Sequence, residues 1–279
     1  MKLWAKKSLG QHFLNSKHVL DQIISAARIG KGETVLEIGP GTGVLTEALL
    51  AAGAHVVAVE KDDRAISLLT ERFSKESAEG QLTLIHGDIL EDKMINGQIS
   101  MINNGYALVA NIPYYITGAI LEKFLSHEPR PNRMVLLVQK EVAERIVARD
   151  GKESILSISV KAFGDPKIIA RVPPGAFTPP PTVDSAILSI EDIGPRIFSA
   201  RNDVAAQNKD IRVFFSLVKA GFSHKRKYLA RNLEAVLSKT AIAAAWTELG
   251  LASNARAEDI SLQTWSDLHS RTKNMAICE

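Results

Sequence analysis

The segment Asn111-Ile112-Pro113-Tyr114-Tyr115 has the residue types needed to prepare a weak nitrogen nucleophile for alkylation. The N6 amine of adenine is such a nucleophile, because its lone pair is delocalised into the ring. The Asn111 side-chain oxygen and the Ile112 carbonyl can accept its hydrogens and stabilise the charge that grows on nitrogen. Pro113 stiffens the turn, and Tyr114 offers an aromatic face for an extruded base. Taken alone, the four residues Asn111 to Tyr114 are more typical of a turn that ends a strand, and it is their position behind the cofactor motifs described below that favours the catalytic interpretation.

A second aromatic candidate is Phe177, in the segment Phe177-Thr178-Pro179-Pro180-Pro181. We predict that it clamps the other face of the base. The alternative is a buried aromatic residue beside a proline loop. Methyl transfer to this amine is expected to need neither a strong base nor a metal ion, because positioning the amine against an activated methyl donor supplies most of the acceleration.

The glycine-rich segment Glu37-Ile38-Gly39-Pro40-Gly41-Thr42-Gly43 ends one predicted strand and opens a helix, so we expect its backbone to pass close to a ligand. Its spacing differs from the G-x-G-x-x-G of nicotinamide-binding turns, and an acidic residue precedes the first glycine. These differences favour a ligand with a cationic end, and S-adenosylmethionine is such a ligand.

Acidic residues end the next two predicted strands. Glu60 is placed to accept hydrogen bonds from two ribose hydroxyls, and Asp88 from an adenine amino group, with Ile89 against the ring. Each residue alone is more typical of a turn or a surface carboxylate. Together, at successive strand ends, they predict one nucleoside site.

The elements that must position these residues alternate in type. Short apolar runs predict strands at 34–38, 55–59, 82–85, 107–110 and 134–138, and helical patterns separate them. This alternation is typical of a doubly wound, Rossmann-like α/β domain. An amphipathic helix precedes them, with Asn15 as its expected N-cap and Gly30 as its stop.

Two further strands, 167–172 and 186–190, are expected to pair antiparallel around the loop 173–181. Strand patterns end near Gly194, and a helical pattern begins at Ile211. We therefore expect a methyltransferase-like domain at 1–193 and a small all-helical C-terminal domain at 194–279.

Composition restricts the class of protein. The chain has 279 residues, 46% of them hydrophobic, with a formal net charge of +3, which fits a globular protein rather than a disordered one. The single Cys278 permits no disulfide framework, and the N-terminus has no signal-peptide pattern, so a cytoplasmic location without membrane attachment is expected. Basic residues cluster at Lys6 and Lys7 and again at 224–231, where a nucleic-acid contact and ordinary surface charge are both open interpretations.

The motifs together resemble the ribosomal RNA adenine N6-dimethyltransferase family of the KsgA type, which includes the Erm resistance methylases. The resemblance covers nearly the whole chain. It includes Leu9-Gly10-Gln11-His12-Phe13-Leu14, the glycine loop, Glu60, Gly87-Asp88, Asn111 to Tyr114, Gln139-Lys140-Glu141-Val142, Phe177 to Pro181 and Val183-Asp184-Ser185. Two positions depart from the family pattern: Tyr115 stands where Asn is expected, and His12 stands where many members have Asn.

The resemblance implies an S-adenosylmethionine-dependent enzyme that dimethylates two adjacent adenines in the terminal hairpin of small-subunit rRNA. The implied partner is the assembling small (30S) subunit, and the enzyme is expected to be monomeric. It also implies that Gln11, His12 and Leu14 join Gly39, Gly41, Glu60, Asp88, Ile89 and Asn111 in contacting the cofactor.

Three alternatives remain open. An Erm-like enzyme would act on large-subunit (23S) rRNA, and the basic segment Ala220 to Lys227, which resembles the family's C-terminal motif, argues against it. A non-catalytic RNA-binding relative is disfavoured by the intact Asn111, Tyr114, Glu60 and Asp88. A nicotinamide oxidoreductase is disfavoured by the glycine spacing.

Overall fold

The structure, a computed structural model, describes residues 5–6, 9–91, 105–198 and 204–272. Lys7 and Cys278, which entered the sequence interpretation, lie outside this described part. The chain divides into two compact units, Met1–Glu144 with Gly164–Gly194 and Arg145–Phe163 with Pro195–Glu279. The division after Gly194 adjoins the boundary expected from the sequence. The grouping of 145–163 with the second unit was not expected, because its helical pattern continues the alternation of the sheet domain.

A mixed seven-stranded sheet forms the centre of the first unit. Its strands are β2 (Thr34–Ile38), β3 (His55–Glu60), β4 (Leu82–His86), β5 (Ala107–Asn111), β6 (Arg133–Gln139), β7 (Asp165–Val172) and β9 (Ser185–Glu191). They lie in the order β4-β3-β2-β5-β6-β9-β7. The first five run parallel, and β9 pairs antiparallel with both β6 and β7. The predicted parallel strands and the antiparallel closing pair are confirmed.

Strand burial explains why these segments pair as they do. The central strands β5 and β6 are buried on both faces, as strands covered by helices on each side must be. In contrast, β7 alternates between more and less exposed residues and contains Pro166, which lacks a backbone donor. A proline is tolerated at a sheet edge, and β7 is one of the two edge strands.

Helices connect the parallel strands, so the loops that follow these strands lie at one edge of the sheet. The helices of the described chain before residue 164 are α1 (Lys17–Ala27), α2 (Val44–Ala51), α3 (Asp63–Arg72), α4 (Ser74–Ala78), α5 (Thr117–Ser126), α6 (Lys140–Val147) and α7 (Ile155–Lys161). The expected N-cap of α1 was wrong by one residue, because the Ser16 side chain accepts the hydrogen bond from the Val19 N–H. The expected stop at Gly30 was also wrong, since Arg28 ends the helix in a left-handed conformation (φ 46°).

A two-stranded ladder joins residues 9–16, here called the N-terminal arm, to the loop 173–181. Strand β1 (Phe13–Leu14) pairs antiparallel with β8 (Phe177–Thr178). Asn15 is used here rather than as a helix cap: its N–H donates to the Ala176 carbonyl at 2.9 Å, and its Nδ2 donates to Thr178 Oγ1 at 2.6 Å. The arm is therefore fastened to the loop by backbone and side-chain bonds.

The second unit is helical within the described residues. Besides α7 it contains α8 (Val204–Gly221), α9 (Leu229–Leu233), α10 (Lys239–Leu249) and α11 (Leu262–Thr272). Trp265 and Phe214 are fully buried in it. None of the helices described in either unit combines the length and apolar character needed to cross a membrane.

Candidate functional site

A cavity opens at the carboxyl ends of β2 to β5, beneath the N-terminal arm. Ten of the twelve residues predicted for the site line it: Gln11, His12, Gly39, Gly41, Glu60, Asp88, Ile89, Asn111, Ile112 and Tyr114. Ligands of open α/β sheets bind at this edge. The remaining two predicted residues, Leu14 and Phe177, are not among the described residues that line the cavity.

The glycine loop supplies open space and room for the arm. A Cβ added at Gly39 would meet no protein atom within 4 Å, so the position borders empty space that a ligand can fill. A Cβ at Gly41 would lie 3.0 Å from Cε1 of Phe13, which also lines the cavity. Glycine at position 41 therefore leaves room for the Phe13 ring of the arm. The sequence had predicted only a ligand contact for this residue.

Glu60 is held by the backbone around it. Its Oε2 accepts from the Gly41 N–H at 3.0 Å, and its Oε1 accepts from the N–H groups of Lys61 and Asp62, both at 2.8 Å. A carboxylate offers about four lone-pair positions, so these bonds leave one, on Oε2. Glu60 was predicted to accept hydrogen bonds from two ribose hydroxyls, and in this arrangement it has room for one.

Asp88 is paired with a lysine that the sequence interpretation did not consider. Lys61 Nζ donates to Asp88 Oδ2 at 2.7 Å, and the Leu90 N–H donates to Oδ1 at 2.9 Å. The Lys61 hydrogen bond, with help from that of Leu90, holds the pKa of Asp88 below its ordinary value. Asp88 is therefore ionised at neutral pH and its carboxylate is oriented in advance.

Glu37 does not supply charge to the cavity. It is buried, is not among the described lining residues, and accepts from Thr46 Oγ1 at 2.7 Å. Burial raises the pKa of Glu37 to about 8, an increase that the Thr46 hydrogen bond opposes and the nearby Glu60 supports. Because the carboxyl is mostly protonated at pH 7, Glu37 gives no support to the expected preference for a cationic ligand.

The Asn111 amide has a defined orientation. Its Nδ2 donates to the backbone carbonyl of His12 at 3.0 Å. A carbonyl cannot donate, so the nitrogen of the amide must face His12, and this leaves Oδ1 as the end available to a ligand. Within the described part of the chain no protein group donates to Oδ1, as the acceptor role predicted for Asn111 requires.

Tyr114 is fixed at both its hydroxyl and its ring. The hydroxyl bonds to Ser185 Oγ at 2.7 Å, and the ring stacks on His12 with centroids 6.0 Å apart. His12 is held in turn, because its Nδ1 donates to the Pro179 carbonyl at 2.8 Å. Burial raises the pKa of Tyr114 and the Ser185 bond lowers it, with burial the larger effect. The Tyr114 side chain is therefore neutral and held in place, and its ring forms part of the cavity surface.

Phe177 and Leu14 occupy the hydrophobic core. Phe177 is 3% exposed and Leu14 is 6% exposed, and the two residues are partners in the β1–β8 ladder. The ladder turns both side chains away from the cavity, since neighbouring residues of a strand face opposite sides. The clamp predicted for Phe177 and the cofactor contact predicted for Leu14 are not supported by these positions.

Asp62 anchors the arm and was missed from the sequence. It caps α3 and binds Arg64, while Gln11 Nε2 donates to its Oδ2 at 3.2 Å. The Arg64 hydrogen bond lowers the pKa of Asp62 to about 2, so it is ionised under ordinary conditions. Lys61 and Asp62 follow Glu60 directly, and this position at a strand end was the feature that could have identified them.

Solved structures define the class of protein. A dimethyladenosine transferase from Plasmodium falciparum is 27% identical, with a TM-score of 0.75 over 94% of this chain and 98% of that one. The 23S rRNA methyltransferase ErmE is 24% identical, with a TM-score of 0.70 over 94% of this chain and 99% of that one, and this likeness concerns the fold alone. The fold is that of the Rossmann-like methyltransferases, as predicted.

Sequence relatives define the family. A family model described as "Ribosomal RNA adenine dimethylase" matches residues 3–274. "Ribosomal RNA small subunit methyltransferase A" of Dehalococcoides mccartyi is 43% identical over 270 residues, covering 95% of this chain and 88% of that protein. The protein of the same name from a Nostoc species is 39% identical over 272 residues, covering 94% and 96%. The chain belongs to the ribosomal RNA adenine dimethylase family, which confirms the resemblance found in the sequence.

Proposed function

We propose that the protein is an S-adenosylmethionine-dependent rRNA adenine N6-dimethyltransferase that modifies two adjacent adenines in the 3'-terminal hairpin of small-subunit (16S) rRNA. The observation that carries the proposal is the Asn111 amide, whose nitrogen is held by the His12 carbonyl so that its oxygen is left as an acceptor in the cavity. The names of the relatives from Dehalococcoides and Nostoc support the choice of the small subunit.

The lining residues fit S-adenosylmethionine. The open space beside Gly39 allows atoms of the ligand to lie close to the backbone, and Glu60 keeps one lone-pair position for a ribose hydroxyl. The ionised Asp88 can accept from an adenine amino group, and Ile89 supplies an apolar surface for the ring. When bound, this molecule supplies a methyl group already activated by a sulfonium.

The protein's own residues prepare the acceptor nitrogen. In the first transfer, Asn111 Oδ1 and the Ile112 carbonyl accept the two hydrogens of N6, which favours a localised lone pair on that nitrogen. In the second transfer, one of these acceptors binds the single hydrogen that remains. The Asn111 oxygen is oriented before the substrate arrives, so little reorganisation is needed as positive charge develops on N6. Tyr114 provides the aromatic surface against which the extruded base is positioned. The proton released from N6 passes to solvent, and no side chain needs to act as a strong base.

The proposed setting is the cytoplasm, with the assembling 30S particle as substrate and a monomeric enzyme. The exposed basic residues of 224–231 are proposed to contact rRNA. An Erm-like activity on 23S rRNA and a non-catalytic RNA-binding role are the competing outcomes of the test.

The test is incubation with labelled S-adenosylmethionine and unmethylated small subunits, followed by mapping of the modified nucleotides. Large subunits serve as the matched substrate control. We expect label on two neighbouring adenines of the small-subunit hairpin, each carrying two methyl groups. Label on large subunits instead would indicate the Erm-like activity, and no label on either particle would contradict the proposal.

A further inference from the structure

Tyr115 is the most exposed large apolar residue of the described chain. It is 68% exposed, whereas its neighbour Tyr114 is half-buried, and both line the same cavity. A single exposed aromatic on a protein surface is common and by itself indicates nothing. Its position at the rim, one residue from Tyr114 and four from Asn111, is what requires an explanation.

The ring is braced by the N-terminal arm. Gly10 has a φ of +58°, and a Cβ added there would lie 3.3 Å from Cε1 and 3.4 Å from Cδ1 of Tyr115. The backbone of the arm therefore packs directly against the edge of the ring. A braced ring loses little conformational freedom when it receives a partner, and this is the property of a preorganised contact.

Tyr115 differs from the other aromatic residues near the site in its exposure to solvent. Phe177, the aromatic residue expected to help hold the base, lies in the core at 3% exposure. Tyr114 is less exposed and is held by its bond to Ser185 and its contact with His12, where it can receive the extruded base itself. Tyr115 thus offers the aromatic surface at the mouth of the cavity that faces solvent, where the RNA flanking an extruded base would lie.

We propose that Tyr115 is a substrate contact whose exposed ring stacks on the unpaired base adjacent to the adenine held at Asn111. This inference rests on the proposed function. Proteins recognise single-stranded RNA largely by stacking unstacked bases on aromatic side chains. When the two adjacent adenines are modified in turn, the base on Tyr115 and the base at Asn111 are neighbours in the same strand.

The test compares steady-state kinetics of Tyr115→Ala, Tyr115→Asn and Tyr115→Phe on unmethylated small subunits. Ile169→Ala is the matched control, because Ile169 is 46% exposed on β7 and is not among the described lining residues. We expect Ala and Asn to raise the KM for the particle roughly tenfold, in line with the loss of one base–aromatic stack. We also expect kcat, the melting temperature and the Kd for S-adenosylmethionine to change little. Phe retains the ring and should keep the KM close to that of wild type, as should Ile169→Ala.

Each outcome distinguishes the inference from the proposed function. Active wild-type enzyme with an unchanged KM in both the Ala and Asn variants would overturn the stacking contact and leave the function standing. A raised Kd for S-adenosylmethionine with an unchanged particle KM would also overturn it, because the ring would then cover the cofactor. Wild-type enzyme that transfers no methyl group would overturn the proposed function and this contact together.

Discussion

At Asn111 a single hydrogen bond decides which end of the amide faces the cavity. Because Nδ2 donates to the His12 carbonyl at 3.0 Å, the acceptor oxygen is oriented without any contact to substrate. This is the arrangement expected of groups that stabilise charge in a transition state, since their cost of orientation is met during folding.

Asn111→Ala should therefore lower kcat for methyl transfer by about a hundredfold or more, the effect seen when one preorganised polar group of this kind is removed. The Kd for S-adenosylmethionine, measured by calorimetry, should change by only about threefold or less, because the lost contact acts mainly on the reacting amine.

Asn15→Ala is the matched control for Asn111→Ala. It also deletes an amide that fastens the arm, the 2.6 Å bond to Thr178 Oγ1, but it removes no cavity acceptor. We expect it to lose at most severalfold in kcat. Equal losses in the two variants would mean that Asn111 acts by holding the arm rather than as an acceptor.

Glu37 makes the stability of the protein depend on pH. Its folded-state pKa of about 8 lies above the ordinary value of 4.5. Between these pH values the unfolded chain releases the proton and the folded chain retains it. The free energy of unfolding therefore falls as pH rises through this window, by up to about 1.4 kcal/mol per pH unit.

Glu37→Gln removes this titration while keeping an acceptor for Thr46. Urea unfolding at intervals from pH 5 to pH 8 should give a flatter stability curve for the variant than for the wild type. Asp62, with a pKa of about 2, stays ionised throughout and does not contribute. Parallel curves would show that Glu37 is ionised in the folded protein.

Among the elements, the N-terminal arm depends on contacts at Gly41. A Cβ there would lie 3.0 Å from the ring of Phe13, the residue at which the β1–β8 ladder begins, so any larger residue would displace that ring. The arm contributes Gln11 and His12 to the cavity and supplies the carbonyl that orients Asn111. Displacing the arm should therefore disturb the positions of Gln11, His12 and the Asn111 amide in the cavity.

Gly41→Ala should speed hydrogen exchange at the Asn15 amide, which donates to the Ala176 carbonyl across the ladder, and weaken S-adenosylmethionine binding by roughly tenfold or more, because both loop and arm must shift. Gly80→Ala is the matched control. Gly80 has a comparable positive φ of 74°, but a Cβ there meets no atom within 4 Å. The control carries the same backbone strain, of order 1–3 kcal/mol, without a clash. Equal effects in both variants would assign the loss to strain alone.

The sequence predicted the elements that depend on local patterns. The parallel strands, the glycine loop and the acidic strand ends follow from periodicity and spacing, and the structure brings Glu60, Asp88 and Asn111 to one edge. Whether the Phe177 side chain can reach the base, as the predicted clamp needs, depends on the register of a ladder between residues far apart in sequence, Leu14↔Phe177. Local patterns do not determine such a register, and a shift of one residue reverses the direction of a side chain.

At the scale of the whole molecule, the second unit carries its basic segment on a turn that is held by buried hydrogen bonds. The buried Asn232 donates from Nδ2 to the carbonyls of Gly221 and His224 at 2.6 and 3.1 Å, which secures the turn before α9. Lys225, Arg226 and Lys227 are all exposed beyond that turn. An exposed cluster on an ordered turn is suited to bind phosphates.

Replacing Lys225, Arg226 and Lys227 together by Ala should weaken binding to small subunits and flatten its dependence on salt, since fewer counterions are released. The control replaces Lys209, Arg212 and Lys239, which are exposed in the same unit and carry the same total charge. Binding is measured at several salt concentrations by filter retention. Identical salt slopes for the two triple variants would mean that Lys225, Arg226 and Lys227 are ordinary surface charges without a specific contact to rRNA.

The most direct measurement is a crystal structure of the protein with S-adenosylhomocysteine and an RNA hairpin carrying the two adjacent adenines. We predict that N6 of one adenine lies about 3 Å from both Asn111 Oδ1 and the Ile112 carbonyl, with its ring against Tyr114. A complex in which the adenine amine lies elsewhere, or in which the Asn111 oxygen is turned away from the base, would contradict the account.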